Sequence, residues 1–255
     1  MKKSKPGIIL KTANEIETIR QAGKLLRQCL MLVRDAAKER VRTKELDELA
    51  YEFITKNGGR PAFKGYRGYP ATLCISVNEE VVHGIPNNRR LRSGDIASVD
   101  CGFVLDGFIA DSAITIPVGD VNEKVQRLLK VTEESLYLGI AQAKVGNYVE
   151  DIARAVQEHV ESHGFSVVRD LVGHGVGRDL HEEPQVPNFV SSDRGAQLTA
   201  GMVLAIEPMV NAGTFEVRSK SDGWTVVTLD KEYSAHYEHT VAITNNGPQI
   251  LTNGE

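Results

Sequence analysis

Five acidic or imidazole side chains, spread over 139 residues from Asp100 to Glu238, have the types and settings needed to hold cations. Asp100 and Asp111 lie in the segment SVDCGFVLDGFIADSAITI. Asp106-Gly107 between two β-rich runs predicts a two-residue hairpin, because a type I′ turn needs positive φ at both central positions. That register pairs Leu105 with Phe108 and Gly102 with Asp111, which puts Asp100 on the face of Asp111 and diagonal to it. Diagonal Cβ atoms sit roughly 7–8 Å apart, close enough for both carboxylates to reach one cation. A buried acid sharing a proton, or paired with arginine, would also satisfy the hairpin. Three further segments add to it: Gly173-His174-Gly175-Val176-Gly177; MVLAIEPMV, where Glu207 ends an apolar run before Pro208; and Tyr237-Glu238-His239-Thr240 entering the strand VAIT. Each is weak alone. The glycines bring the backbone close and leave the imidazole of His174 accessible, and each carboxylate at a core edge needs a partner. Four carboxylates and one histidine suit a pair of hard or borderline divalent ions better than a structural zinc, which prefers Cys and His.

These residues need a scaffold. Thr12 and Glu15 form a capping box ahead of Ile16, Ile19, Leu26, Leu30 and Val33 at helical spacing. A second helix is predicted from about Thr43, with Leu46, Ala50 and Ile54 on one face, stopping at Asn57-Gly58-Gly59. Strand-like runs follow at 71–77, 96–105 and 108–117. The order then repeats: a helix capped by Asp120 and Glu123 running to about Lys144, another capped by Asn147 and Glu150 ending at Gly164, and strand-like runs around 165–172, 202–206, 224–229 and 235–244. Leu46, Ala50, Ile54 and Gly58 recur 106 positions later as Ile152, Val156, Val160 and Gly164. An α+β fold of two helix-helix-sheet halves around one core is expected, with the functional groups where the halves meet.

Composition is that of a globular chain. Its 255 residues are 41% hydrophobic and 25% charged, with a net charge of −4, which gives no general reason to expect a DNA or membrane binder. Two basic clusters, Lys2/Lys3/Lys5 and Arg89/Arg90/Arg92, read as solvated surface or as a contact with ribosomal RNA. Cys29, Cys74 and Cys101, odd in number and scattered, read as reduced thiols in a cytoplasmic protein, and no apolar run is long enough to span a bilayer.

The ordered set Asp100, Asp111, His174, Glu207 and Glu238 resembles the ligand set of the methionine aminopeptidases, type I, members of the M24-type metallopeptidases with a pita-bread fold. The likeness runs from Thr12 onward and includes GYRGYPATLCISVNEEVVHGIP, GHGVGRDLHEEP and SAHYEHTVAIT. It implies a single catalytic domain over 12–255 behind a short extension, 1–11. It further implies two pseudo-symmetric halves around a curved antiparallel sheet, and removal of the initiator methionine from nascent proteins when the second residue is small. Two divalent ions (iron, manganese, cobalt or zinc) would activate the attacking water, with Asp100 on one ion, Asp111 and Glu238 bridging, and His174 and Glu207 on the second. Glu207 would also shuttle a proton, His83 would position the peptide and assist the departing amine, and His181 would stabilise the oxyanion. Tyr66, Tyr69, Cys74 and Trp224 resemble the methionine pocket. Phe63 and Leu180 depart from the family's usual residues, so the pocket's shape is open. A monomer is expected.

Other titratable residues are set aside. His159 and His163 face one way on a helix end but lack the acid of zinc-protease helices, and His236 and His239 read as neighbours of the site. Glu79, Glu80, Glu182 and Glu183 read as solvated. Rival expectations are an Xaa-Pro peptidase of the same fold, which usually carries a sizeable N-terminal domain, and a non-catalytic nascent-chain or RNA adaptor, which typically loses metal ligands.

Overall fold

Helix α1 (Ala13–Ala36) begins as its sequence predicts: Thr12 caps the amide of Glu15 while the Glu15 carboxylate accepts from the Thr12 amide at 2.9 Å. Its buried stripe of Ile19, Ala22, Leu26, Cys29, Leu30 and Val33 lies across the sheet strands described below. The computed structural model describes residues 7–254, so Lys2, Lys3 and Lys5 lie outside the described residues. Three more helices follow: α2 (Thr43–Lys56), α3 (Glu123–Gln142) and α4 (Val149–Ser162).

The strands are β1 (Arg60–Pro61), β2 (Leu73–Val77), β3 (Glu80–Val82), β4 (Ile96–Leu105), β5 (Phe108–Pro117), β6 (Ser166–Val167), β7 (Gly173–Gly175) and β8 (Glu182–Val186). Beyond them run β9 (Val203–Ile206), β10 (Met209–Asn211), β11 (Val217–Ser219), β12 (Val226–Thr228), β13 (Ser234–His236), β14 (Glu238–Thr244) and β15 (Gly247–Ile250). Nine form one antiparallel sheet with the path β1-β4-β5-β14-β9-β7-β8, while β2 also pairs with β4 and β15 with β14. Two three-stranded sheets, β13-β10-β6 and β11-β12-β3, flank it. Helices α1 and α2 pack together on one half, α1 against β4 and β5, and α3 packs on α4 in the other.

The repeat is real in three dimensions. Helices α2 and α4 are both 14 residues long and start 106 positions apart. Their N-terminal turns dock on matching loops: Thr43 N donates to Arg89 O and Leu91 N to Val41 O, as Val149 N donates to Ala196 O and Leu198 N to Asn147 O. The shared apolar spacing thus reflects two equivalent packing faces.

Local details differ from expectation at two caps. Helix α3 is capped by Asn122, whose side chain accepts from Val125 N at 3.0 Å, because Asp120 lies two residues too early to reach that amide. At α4 the cap position is Tyr148, whose amide is received by Asp151 at 2.7 Å; Asn147 is held in the loop by Leu198 and donates its amide to Gln142 O. The expected run at 235–244 breaks at Tyr237 into β13 and β14, which belong to different sheets. The run at 165–172 shrinks to β6.

The corrected cap generates a test. Asn122→Ala should lower stability by about 1 kcal/mol in urea unfolding, while Asp120→Ala, on an exposed residue, should shift it by less than about 0.5 kcal/mol. Equal losses at both positions would contradict the assignment.

Candidate metal centre

The hairpin adopts the expected register, Leu105 opposite Phe108 and Gly102 opposite Asp111, around a turn with Asp106 at φ 48° and Gly107 at φ 80°. Both positive values are those of a type I′ turn. Asp100 and Asp111 therefore project from one face, and their carboxyls face one another within hydrogen-bonding reach. Strand β14 lies on the other side of β5, with Glu238 opposite Ala113. Thr240 receives the Asp111 amide at 2.9 Å and donates to its carbonyl at 2.7 Å, and Ser112 Oγ donates to Glu238 O at 2.6 Å. These cross-links set Asp111 and Glu238 side by side.

Strands β9 and β7 bring the rest. His174 pairs with Ala205 on β9, and Glu207 follows the end of that strand. The flanking glycines are required by close approach: a side chain at 173 would strike the Ala205 carbonyl, and one at 175 the Glu183 backbone. His174 Nδ1 donates to the Gly175 carbonyl at 3.0 Å, which leaves the Nε2 lone pair facing Glu207 at 3.4 Å and Asp111 at 4.0 Å. Candidate ligand atoms of Asp111, His174 and Glu238 all lie within 4.8 Å of one another, the one such trio among the described residues. Asp100 adjoins it through Asp111, and Glu207 through His174.

The electrostatics of this cluster are those of a cation site. Burial, and then the neighbouring Asp111, push the carboxyls of Asp100, Glu207 and Glu238 well above the usual range. Asp111 itself is pushed up to about 7 by burial. Burial also holds His174 down at about 4, so its imidazole is neutral at neutral pH. Asp100 Oδ1, Asp111 Oδ1 and Glu238 Oε1 are buried with no hydrogen-bond partner. Orphaned carboxylate oxygens and an imidazole lone pair aimed at carboxylates repel unless protons or cations lie among them, so the donor set fits divalent metal ions.

All eleven residues singled out from the sequence line one cavity of about 190 Å³. His181 Nδ1 lies 2.8 Å from Tyr66 Oη and its ring is 4.2 Å from that of His174; burial holds its pKa at about 3. His83 sits at φ 59°, a strained conformation for a residue other than glycine, at the end of β3. Tyr69 Oη lies 2.9 Å from the carbonyls of Leu73 and Gly84, and its ring meets Trp224 edge-on at 5.0 Å. Cys74 pairs directly across from Asp100, which places it on the same face. Phe63 and Leu180 line the cavity too, as do Val82, Leu171 and Met209, which single-residue reasoning could not separate from ordinary core.

Residues set aside from the sequence divide. His236 is 1% exposed, with its Nε2 unpaired and 3.7 Å from Glu207 Oε2. It faces Glu207 across β10–β13, a pairing no local pattern reveals. His239 points away, to Thr252 Oγ1 at 2.8 Å. His159 meets Glu134 at 3.3 Å and His163 bonds back to the His159 carbonyl, outside any trio. Glu182 corrects the expectation of a solvated acid: its side chain is 3% exposed and ion-paired with Lys11. Arg89 approaches Asp95 at 3.9 Å and Arg90 donates to Arg40 O, so part of that basic cluster is engaged within the fold.

Comparison with known proteins extends the likeness to nearly the whole chain. Residues 17–245 match the family described as metallopeptidase family M24. The methionine aminopeptidase of Clostridium perfringens is 55% identical over 96% of this chain and 98% of its own, and methionine aminopeptidase 1 of Bacillus subtilis 51% identical over 96% and 99%. The crystal structure of methionine aminopeptidase from Thermotoga maritima superposes with a TM-score of 0.94 at 46% identity, covering 96% of this chain and 99% of that one. A prolidase from Pyrococcus furiosus superposes at 0.79 with 26% identity, and the match covers 97% of this chain but 66% of that one.

The buried charges predict a pH signature. Above pH about 7.5 the histidines that burial holds low in the fold are almost wholly neutral in both folded and unfolded chains and no longer affect the slope. In the folded protein burial raises Asp111 to about 7, and raises Asp100 and Glu238 as well, so the fold binds protons more tightly than the unfolded chain, whose carboxyls have lost them. Bound protons therefore favour the fold, and stability falls as pH rises. The Tm of metal-free protein should drop from pH 7.5 to 8.5, and excess Mn²⁺ should remove most of that drop; a flat metal-free profile would contradict the cluster.

Proposed function

The chain belongs to metallopeptidase family M24, and on that premise we propose that it is a methionine aminopeptidase that removes the N-terminal methionine from newly made proteins whose second residue is small. The observation that carries the proposal is the convergence of a four-carboxylate, one-imidazole cluster and an aromatic, thiol-lined recess on a single cavity. A metal-binding adaptor needs no such recess beside its ions, and a peptidase for amino-terminal methionine needs both.

Asp100, Asp111, His174, Glu207 and Glu238 would hold the divalent ions. When bound, iron, manganese, cobalt or zinc at this centre would supply Lewis acidity toward the scissile carbonyl and a water activated near neutral pH. Glu207, raised by burial, can take a proton and release it to the leaving amine. Tyr66 Oη, donating to His181 Nδ1, leaves Nε2–H as the donor of that neutral imidazole, the state required to stabilise a developing oxyanion. His83, also kept neutral by burial, can orient the peptide beside it. Tyr69, Trp224 and Cys74 offer an apolar recess, and aromatic contacts favour a thioether by roughly 0.3–1.5 kcal/mol.

The two rivals fare worse. Identity of 55% to a methionine aminopeptidase against 26% to a prolidase favours the first substrate class. The intact acidic set, with its orphaned oxygens, speaks for a catalytic protein over an adaptor. Three free buried cysteines fit a reducing cytoplasm, and no helix among the described residues is long and apolar enough to cross a membrane.

Mass spectrometry of Met-Ala-Ser and Met-Lys-Ser, incubated while each divalent metal is titrated into metal-free protein, tests the activity. Cleavage of the first peptide alone is expected, and no cleavage with any metal would overturn the proposal. His181→Ala should keep metal affinity by calorimetry and lower kcat on the order of 10²–10³-fold; unchanged turnover would remove His181 from the chemistry.

A further inference from the structure

The loop between β7 and β8, residues 176–181, delivers His181 to the cavity, yet it makes few backbone ties of its own. Its base is fixed: Val176 N donates to Val203 O, and Ile109 N donates to the Gly177 carbonyl at 2.8 Å. Beyond Gly177, the amides of Arg178 and Asp179 both turn inward to a single acceptor, Glu182 Oε1, at 2.9 and 3.3 Å. Glu182 is the residue after His181, so its carboxylate acts as the wedge around which the loop is folded. The other oxygen, Oε2, pairs with Lys11 Nζ, and both side chains are 3% exposed.

Lys11 is itself held. Its amide donates to Gly201 O at 2.7 Å, its ammonium also donates to Ile9 O at 3.0 Å, and its stem fills the space that a side chain at Gly177 would take. The ammonium thus arrives from the segment ahead of α1, and Lys11 is not itself among the residues that line the cavity. Removing it would leave Glu182 as a buried charge without a counter-ion, and such a carboxylate must protonate or swing to water. Either response takes away the acceptor that gathers the two loop amides.

We propose that Lys11 is a positioning residue for catalysis: through its buried pair with Glu182 it holds the 176–181 loop in the shape that presents His181 to the substrate. The proposal rests on the peptidase reading for its kinetic consequence, and on hydrogen exchange for its structural one. A misplaced oxyanion donor affects the transition state while leaving ground-state contacts intact, so the effect falls on kcat.

The test uses full-length, manganese-loaded protein on Met-Ala-Ser. Lys11→Met should lower kcat on the order of 10²-fold with KM little changed, the scale expected when a reacting group is displaced by about 1 Å. Manganese affinity measured by calorimetry should stay at the wild-type value, and amide exchange at Arg178 and Asp179 should accelerate. Because that variant strands a buried charge, the double variant Lys11→Met/Glu182→Leu separates stability from positioning, since an apolar pair often replaces a buried ion pair without loss of stability. It should regain most of the wild-type Tm while kcat stays low and both amides exchange fast. A double variant whose kcat returns together with its Tm would overturn the proposal, as would wild-type kcat in Lys11→Met. If wild-type protein fails to cleave the peptide, the peptidase reading falls on its own, and unchanged exchange at the two amides in Lys11→Met would then overturn the strap.

Discussion

Four carboxyl groups buried against one imidazole set the electrostatic constraint at the centre of this protein. Burial alone opposes the ionised form of each carboxyl, and their mutual proximity opposes it further. Such a cluster is tolerable only with protons or cations within it, and the sheet is built to deny the carboxyls any other escape. Asp111 is locked to β14 by both of its backbone groups through Thr240, and Glu238 is tied to β5 through Ser112. With the backbone held on both sides, the oxygens stay turned into the cluster, where protons or divalent cations can neutralise them.

The surrounding architecture follows from that demand. The nine-stranded sheet draws the residues of the cluster from β4, β5, β7, β14 and the end of β9, and the paired helices pack against it on each half. Matching docking of α2 and α4 on equivalent loops gives both halves the same internal frame, and the seam between them is where strands from each can place acids opposite one another. Cys74 stands across from Asp100, so the aromatic, thiol-lined recess and the acidic cluster share one face of the sheet. His181 arrives from a loop, with Tyr66 Oη at its Nδ1 and Glu182 Oε1 accepting from the Arg178 amide, whereas Asp100, Asp111, His174 and Glu238 stand on strands of the sheet.

Much of this was written locally. Asp106-Gly107 can form only a tight turn with positive φ, and that one turn set the register of β4 and β5 and the facing of Asp100 and Asp111. Helical spacing and the Thr12–Glu15 box announced α1, and the repeated Leu46/Ala50/Ile54 pattern announced α2 and its counterpart α4. Helix starts were less legible: among several polar residues ahead of α3, only the final backbone geometry selects Asn122 over Asp120. Short strands such as β6 and β13 owe their limits to partners far along the chain.

The sequence by itself determined the elements, the hairpin register and the chemical types available for a cation site, because turns, caps and periodicity act over a few residues. Tertiary structure alone decided which of those polar groups meet. Glu182 and His236 show why: Glu182 read as a solvated acid yet is buried against Lys11, and His236 read as a neighbour of the site without any sign that its partner there is Glu207. Side-chain partners across a sheet or between a loop and the chain's start depend on the packing of the whole molecule, and no local pattern encodes that.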